Sequence, residues 1–583
     1  MNKEEIQKKI PYGVSDFEKI RKENYYVDKT RFIKLIEASP DYLLFIRPRR
    51  FGKSLWLSLM EHYYDISKKD RFEELFKGTW IYDNPTKERN SYLILKFNFS
   101  GVNPDIKKVE DSFEETIKLA GLRFIKRYKD YLQDKEDKMY KTIENLKNGS
   151  SILKYIINFV EDKYKIYLLI DEYDNFTNTI ISSAGNKQYI AITHGEGFYR
   201  HFFNVIKLGT TGGPISKLFI TGVSPVTMDD VTSGFNIGYN ITNMSKFNEM
   251  LGFTETEVIE ILNYYRINKE SDKLITLMRS WYNNYIFSKD AETRMYNSDM
   301  VLYFINQYLE LNKLPDAMLD NNIKIDYDKL KYLIIADQGA RRRVNGNFEK
   351  LKLILEKGEI CANIVTSFSV EIIIDIENFI SLLYYFGLLT IKGSYHGKPI
   401  LTIPNEVIRQ LYYEYIREGY RDTKIFNIDL FTLGHLFDEM AFNGNWEDLF
   451  NYLTEEMNKQ TSLRDYIEGE RSIQTFLRVY LNVSNYYITK TECELNKGYC
   501  DILLIPNIHQ YSDIKYSYLI ELKYLSKTGY SEVKQEEKIK SAREKLSKYE
   551  NDEDLKKLVG STEIIKLILV FAGVELKYKE IKL

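Results

Sequence analysis

The sequence predicts an α/β protein in three parts. An N-terminal parallel sheet with helices on both faces comes first, then a helical, winged-helix-like middle, then a C-terminal α/β part. Three observations predict this. Short apolar runs alternate with amphipathic helical stretches through the first third. Helical spacing dominates the middle. Near the C-terminus three strand-like runs precede a charged helix and another apolar run. At 583 residues the chain is several times a single-domain length, which sets an expectation of two to four domains.

In chain order, YLLFI (Tyr42–Ile46) is an apolar run ending at a turn, and Ser54–Ile66 has helical apolar spacing. Tyr92–Phe99 reads as a strand, and Lys108–Leu132 and SILKYIINFVEDKY as helices. Lys165–Ile170 is a buried strand ending in an acidic cluster, EGFYRHFFNVIK a helix, and Lys217–Thr221 a further strand. Buried strands alternating with helices imply a doubly covered parallel sheet, assigned to residues 1–250. GFTETEV then opens a helix with a capping box, Thr254 and Glu257. Helices lead to a helix–hairpin–helix stretch, IENFISLLYYFGLLTIKGSYHGKPILTIPNEVIRQLYYEYI, which resembles a winged helix or lid and closes the segment 251–424. Residues 425–583 offer the helices DLFTLGHLFDEMAF and LRDYIEGERSIQTFLRVYL. The strands YYITKTECEL, YCDILLIP and YSYLIELKYL follow as an antiparallel meander, then a charged helix at Glu536–Tyr549 and a final strand, IIKLILVFA.

Composition narrows the function. Lys and Arg total 82 against 84 Asp and Glu, so the net charge of -2 excludes a protein that coats nucleic acid by bulk charge. Cys361, Cys493 and Cys500 cannot form a disulfide framework, which points to a reducing compartment. The histidines show no metal-ligand spacing for a structural zinc. The charged opening MNKEEIQKKIPYG is unlike a signal peptide, and no apolar run reaches membrane-helix length. A cytoplasmic protein without membrane contact is expected. The tyrosine pairs 63–64, 384–385 and 412–413 are read as core residues rather than base-stacking platforms.

RPRRFGKSLWL (Arg47–Leu57) follows the first strand. The phosphate-loop pattern G-x-x-x-x-G-K-[ST] is met at Gly52, Lys53 and Ser54, with Arg47 in place of the first glycine. Its chemistry requires backbone N–H groups at a helix start, an ammonium for the β- and γ-phosphates of ATP and a hydroxyl for Mg²⁺. Alone these residues also describe a capped surface helix. KIYLLIDEYD changes the balance, because its strand delivers Asp171 for Mg²⁺ and Glu172 to polarise an attacking water. Thr221, ending another strand, is placed to sense the γ-phosphate. Arg49, Arg50 and Phe51 complete the candidate nucleotide-binding loop.

These motifs, with IPYGVSDFEKIRKENYYVDKTRFIKLIE, FITGVSPVTMDDVTSGFN, SWYNNYIF and SLLYYFGLLT, resemble the bacterial AAA-ATPase-like family. That resemblance implies an arginine-rich phosphate loop as a family trait and a C-terminal PD-(D/E)XK nuclease-superfamily domain of restriction-endonuclease-like fold. Asn284 stands where the family's WYNGY run has glycine.

In GYCDILLIP and LIELKYL, strand alternation puts Glu521 and Lys523 on one face, with Asp501 one strand earlier. Two carboxylates and a lysine can hold Mg²⁺ and position a water for phosphodiester hydrolysis, and the same strand alone also reads as a solvated edge. The superfamily resemblance favours the site. It implies Glu470 as the helical glutamate, and Asp501 and Glu521 as ligands of Mg²⁺ or Mn²⁺. It implies Lys523 as the catalytic lysine and Lys545 as a catalytic contact where glutamine is usual. Tyr499 replaces an arginine of the pattern. The expected function is ATP-regulated, Mg²⁺-dependent cleavage of DNA, with nucleic acid as partner and self-association left open. The alternative is a signalling or switch NTPase whose C-terminal domain binds nucleic acid or a protein partner without cleaving it.

Overall fold

The computed structural model describes residues 7–132, 136–160, 163–232, 237–267, 271–315, 317–324, 346–372, 375–422, 426–460, 469–495, 498–508, 510–549 and 552–582. The start of the helix expected at LRDYIEGE and the end of the VTSGFN motif lie outside these residues. The described residues fall into two compact units. One is drawn from Met1–Glu310, Ala317–Leu333 and Glu359–Ile408, the other from Leu311–Asp316, Ile334–Gly358 and Arg409–Leu583. Among the described residues no helix is long and apolar enough to cross a membrane.

The first unit is built on strands β1 (Tyr42–Ile46), β2 (Leu93–Asn98), β3 (Ile166–Asp171), β4 (Ile215–Gly222) and β5 (Tyr239–Asn240), all parallel, in the order β2-β3-β4-β1-β5. Every residue of β3 is buried, as expected for a strand covered on both faces. The register sets Ile46 beside Gly222 and Ile170 beside Ile220. The carboxyl ends of β1, β4 and β3 therefore lie side by side, where an open parallel sheet binds ligands. Tyr63, Tyr64, Tyr384, Tyr385, Tyr412 and Tyr413 are all buried, in keeping with the core reading.

The same unit holds a small antiparallel sheet of β6 (Glu359–Cys361), β7 (Thr390–Tyr395) and β8 (Lys398–Thr402), ordered β6-β8-β7. Helix Ile376–Tyr385 precedes its hairpin and helix Glu406–Asp422 follows it, so the helix–hairpin–helix order matches the expectation. Asn284, in place of the family's glycine, has a φ of 78°. That left-handed conformation admits asparagine more readily than any bulkier residue.

The second unit contains β9 (Tyr487–Leu495), β10 (Gly498–Pro506), β11 (Tyr516–Leu525), β12 (Glu563–Ala572) and β13 (Glu575–Lys582), ordered β13-β12-β11-β10-β9. β9, β10 and β11 form the antiparallel meander, β11 and β12 run parallel, and β13 returns antiparallel. Helix Glu532–Ser547 makes the crossover between β11 and β12. Its Ile539, Ala542 and Leu546 pack with Leu503, Leu519, Ile568 and Val570. That packing fixes the helix against the strands that carry Asp501 and Glu521.

Candidate active sites

The phosphate-loop site is built where β1 gives way to helix Lys53–Tyr64. Gly52, the residue before the helix, has a φ of 95°, and a Cβ there would meet nothing within 4 Å. Glycine is needed at this position for its conformation rather than for space. Arg50 also adopts a left-handed φ, 68°. Arg47 explains why the first glycine of the pattern is absent. Its guanidinium lies 4.2 Å from the ring centroids of both Phe45 and Phe287, and donates to the carbonyls of Ile46, Thr242 and Phe247. Burial pulls its pKa down to about 9. Arg47 is thus a buried cation whose guanidinium is taken up by backbone carbonyls and two rings, clamping the start of the loop.

Lys53 Nζ donates to the carbonyls of Arg47 (2.9 Å) and Pro48 (2.8 Å). Burial lowers its pKa to about 8, against the opposing pull of Glu172, Asp171 and Asp174. Ser54 is hydrogen-bonded to Asp171, whose pKa is raised chiefly by burial. Asp171 Oδ1 and Thr221 Oγ1 are both buried with no hydrogen-bond partner. Two buried polar atoms lacking partners at adjacent strand ends are costly, and they mark where a ligand or ion would be received. Glu172 has a φ of 51° and a pKa raised by burial and by Asp171. It lines a cavity of about 500 Å³ together with Arg49, Arg50, Phe51, Gly52, Lys53 and Ser54.

The cavity shows what the motif reading missed. Asp174, three residues past the end of β3, is buried and accepts from the backbone N–H groups of Val223 and Ser224 and from Asn178. It ties the β3 turn to the end of β4, so it holds Glu172 and Thr221 in fixed relation. Tyr25, Val27, Leu251 and Phe253 line the far side of the cavity. Tyr25 and Val27 belong to the N-terminal family-like stretch, and Leu251 and Phe253 flank Gly252 just ahead of the capping-box helix. Arg49 Nη2 lies 3.3 Å from Asn175 Oδ1, and Arg50 pairs with Asp299 at 3.7 Å. The volume suits a nucleotide, and the loop cation, Ser54 and the partnerless Asp171 oxygen fit ATP with Mg²⁺.

The second site lies across β10 and β11. Asp501 Oδ2 accepts from the Leu522 backbone N–H at 2.8 Å. Glu521 is fully buried, and Lys523 Nζ lies 3.2 Å from its Oε2 and 3.7 Å from Asp501 Oδ2, as the shared face requires. Lys545, delivered by the crossover helix, reaches Glu521 Oε2 at 2.9 Å and Asp501 Oδ1 at 3.3 Å. Burial, then the Asp501 charge, push the Glu521 carboxyl up to about 7, with Lys523 and Lys545 opposing. Glu521 Oε1 is buried without a partner. Two adjacent carboxylates with one oxygen unclaimed are a donor set that suits Mg²⁺ or Mn²⁺. Glu470 stands half-buried at the start of helix Glu470–Leu481. Among the described residues no three His, Cys, Asp or Glu side chains are clustered to hold a metal, so Glu470 is not drawn up to the other two. Tyr499 is exposed.

Family models match the two regions of the chain that carry these sites. Residues 11–232 match the AAA-ATPase-like family model, described as a predicted AAA-ATPase, and residues 468–581 match the PD-(D/E)XK nuclease superfamily. An uncharacterized protein in the vnfD 5′ region of Azotobacter chroococcum mcd 1 is 28% identical over 307 residues, 51% of this chain and 52% of its own. The match thus spans about half the length of that relative. The Walker-type ATPase PABY2304 of Pyrococcus abyssi superposes with a TM-score of 0.39 at 9% identity, over 66% of this chain and 94% of its own. That superposition is too loose to add to the assignment. The chain therefore joins an N-terminal domain of the AAA-ATPase-like family to a C-terminal domain of the PD-(D/E)XK nuclease superfamily.

Proposed function

We propose that the chain is an ATP-binding, ATP-regulated nuclease that cleaves DNA with Mg²⁺, working in the cytoplasm. Its modules would be an ATPase over residues 1–250, a lid over 251–424 and a nuclease over 425–583. Lys53 and the loop N–H groups receive the phosphates, with Arg49 and Arg50 beside them. Ser54 and Asp171 hold the nucleotide's Mg²⁺, Glu172 orients the attacking water, and Thr221 senses the γ-phosphate. In the second site Asp501 and Glu521, with Glu470 as an outer ligand, hold Mg²⁺ or Mn²⁺. The ion supplies positive charge at the scissile phosphate. Lys523 orients the water and Lys545 offsets phosphate charge.

The observation that carries the reading is the Asp501–Glu521 pair, held by Lys523 and Lys545 with Glu521 Oε1 unclaimed. The same lysines favour the second reading in one respect. They already neutralise the carboxylates, as a switch NTPase with a binding-only C-terminal domain would allow. Plasmid and linear DNA offered with Mg²⁺, with and without ATP, separates the two. Cleavage that ATP alters, and that Asp501→Ala and Lys523→Ala abolish, supports the nuclease. DNA binding without cleavage by the parent chain supports the switch, and cleavage surviving in purified Asp501→Ala overturns the site.

A further inference from the structure

Cys493 on β9 and Cys500 on β10 are directly opposite each other in the antiparallel register. Opposed residues in such a pair have Cα atoms about 4.5–5.5 Å apart, inside the range a disulfide spans without backbone movement. The two side chains are already hydrogen-bonded to one another. Their surroundings differ. Cys500 is fully buried in the cluster under the crossover helix, whereas Cys493 is only half-buried at its border. Cys361, the remaining cysteine, is exposed and lies in the other compact unit.

We propose that Cys493 and Cys500 are a redox modification site, a dithiol that closes to a reversible cross-strand disulfide one residue from Asp501. The inference does not depend on the nuclease reading. The oxidant is a hydroperoxide or a low-molecular-weight disulfide. With hydrogen peroxide, the Cys493 sulfur attacks one oxygen, the O–O bond breaks, and a sulfenic acid forms as one water leaves; an organic hydroperoxide releases its alcohol instead. The Cys500 sulfur then attacks the sulfenic sulfur, the S–S bond forms and a second water leaves. The two sulfurs give up two electrons and the peroxide takes them. The roles follow from access. Cys493 is the sulfur an oxidant can reach, and its hydrogen bond with Cys500 lowers its pKa in the direction of the reactive thiolate. Cys500 waits behind it as the resolving thiol. In a reducing compartment such a bond is transient and regulatory rather than structural.

The sequence offers a clean readout. Lys490, Lys497 and Lys515 let trypsin separate the two cysteines, giving peptides 491–497 and 498–515 that stay together only through a disulfide. Reduced full-length chain is treated with hydrogen peroxide or oxidised glutathione, blocked with an alkylating agent, digested without reductant and analysed by mass spectrometry. The expected product is the 491–497/498–515 pair, lighter by two hydrogens than the sum and released by dithiothreitol, with Cys361 outside it. Cys493→Ser should leave Cys500 fully alkylatable after the same treatment. Cys493 and Cys500 both staying alkylatable while Cys361 reacts would overturn the proposal. So would a mixed disulfide on Cys493 that never passes to Cys500.

Discussion

The two candidate sites handle a lysine beside paired acids in opposite ways. In the phosphate-loop site Lys53 rests on two neutral carbonyls, and Asp171 Oδ1 has no partner. In the C-terminal site Lys523 and Lys545 both lie on the carboxylates, and Lys545 spans the pair. The first arrangement is preorganised for an anion, because the ammonium gives up only uncharged acceptors when a phosphate arrives. The second is already compensated, so a divalent cation has to take carboxylate oxygens away from ammonium groups. Readiness for ligand thus differs between sites that carry similar charges, and each site is best probed by removing the group that sets its state.

The largest effect should come from Glu172. Glu172→Gln keeps the shape of the cavity but cannot take a proton from water, so ATP turnover should fall by about a hundredfold to ten-thousandfold. ATP affinity, measured by calorimetry, should be nearly unchanged. Turnover at the parental rate would leave the phosphate-loop site without its assigned base. Lys53→Ala comes next. It removes a buried charge-assisted contact, and the ATP dissociation constant should rise about a hundredfold, near 2.7 kcal/mol. Asp501→Ala should leave that constant alone. A matching loss in both variants would erase the distinction between the sites.

A smaller effect tests the state of Lys53 itself. Burial sets its pKa at about 8, and phosphate binding favours the charged form. Below pH 8 the ammonium is already charged, whereas above it binding must draw in a proton. ATP affinity should therefore fall as pH rises through about 8, by roughly tenfold between pH 7 and pH 9. Titrations of the full chain across that interval check it, and Lys53→Arg, which stays charged, should flatten the profile.

Much of this was legible in the chain because each motif ends a strongly patterned strand. β1, β3 and β4 read as apolar runs, and their carboxyl ends carry Lys53, Asp171 and Thr221 into one sheet crevice. The alternation in LIELKYL put Glu521 and Lys523 on one face, and the two side chains do meet. What was not legible depends on long-range packing. Arg47 was legible as a departure from the phosphate-loop pattern and as a family trait, but not as a clamp, because its partners Thr242, Phe247 and Phe287 are some 200 residues away in sequence. Asp174 looked like one more acid in an acidic turn, although it is buried and binds the end of β4. β13 was missed because its Glu- and Lys-rich alternation reads as surface, which is how an edge strand avoids pairing with other chains. Lys545 was visible as a departure from glutamine, but its span across both carboxylates requires the crossover helix in place.

The smallest predicted effect addresses that span. Lys545 is partly exposed, so solvent screens its ion pairs with the two carboxylates and together they contribute about 1 kcal/mol. Lys545→Gln keeps the side-chain length and a hydrogen-bond donor but removes the charge that competes with a cation. If the carboxylates are a metal site held in a compensated state, Mn²⁺ affinity should rise about fivefold in this variant. Manganese titration followed by electron paramagnetic resonance on the full chain, without nucleotide or DNA, reads the change independently of cleavage. Asp501→Ala supplies the baseline for ions bound elsewhere. Unchanged Mn²⁺ affinity in Lys545→Gln, with binding still dependent on Asp501, would mean that Lys545 leaves the carboxylates at no cost. The two sites would then be equally ready for their ligands, and the contrast between them would not extend to binding.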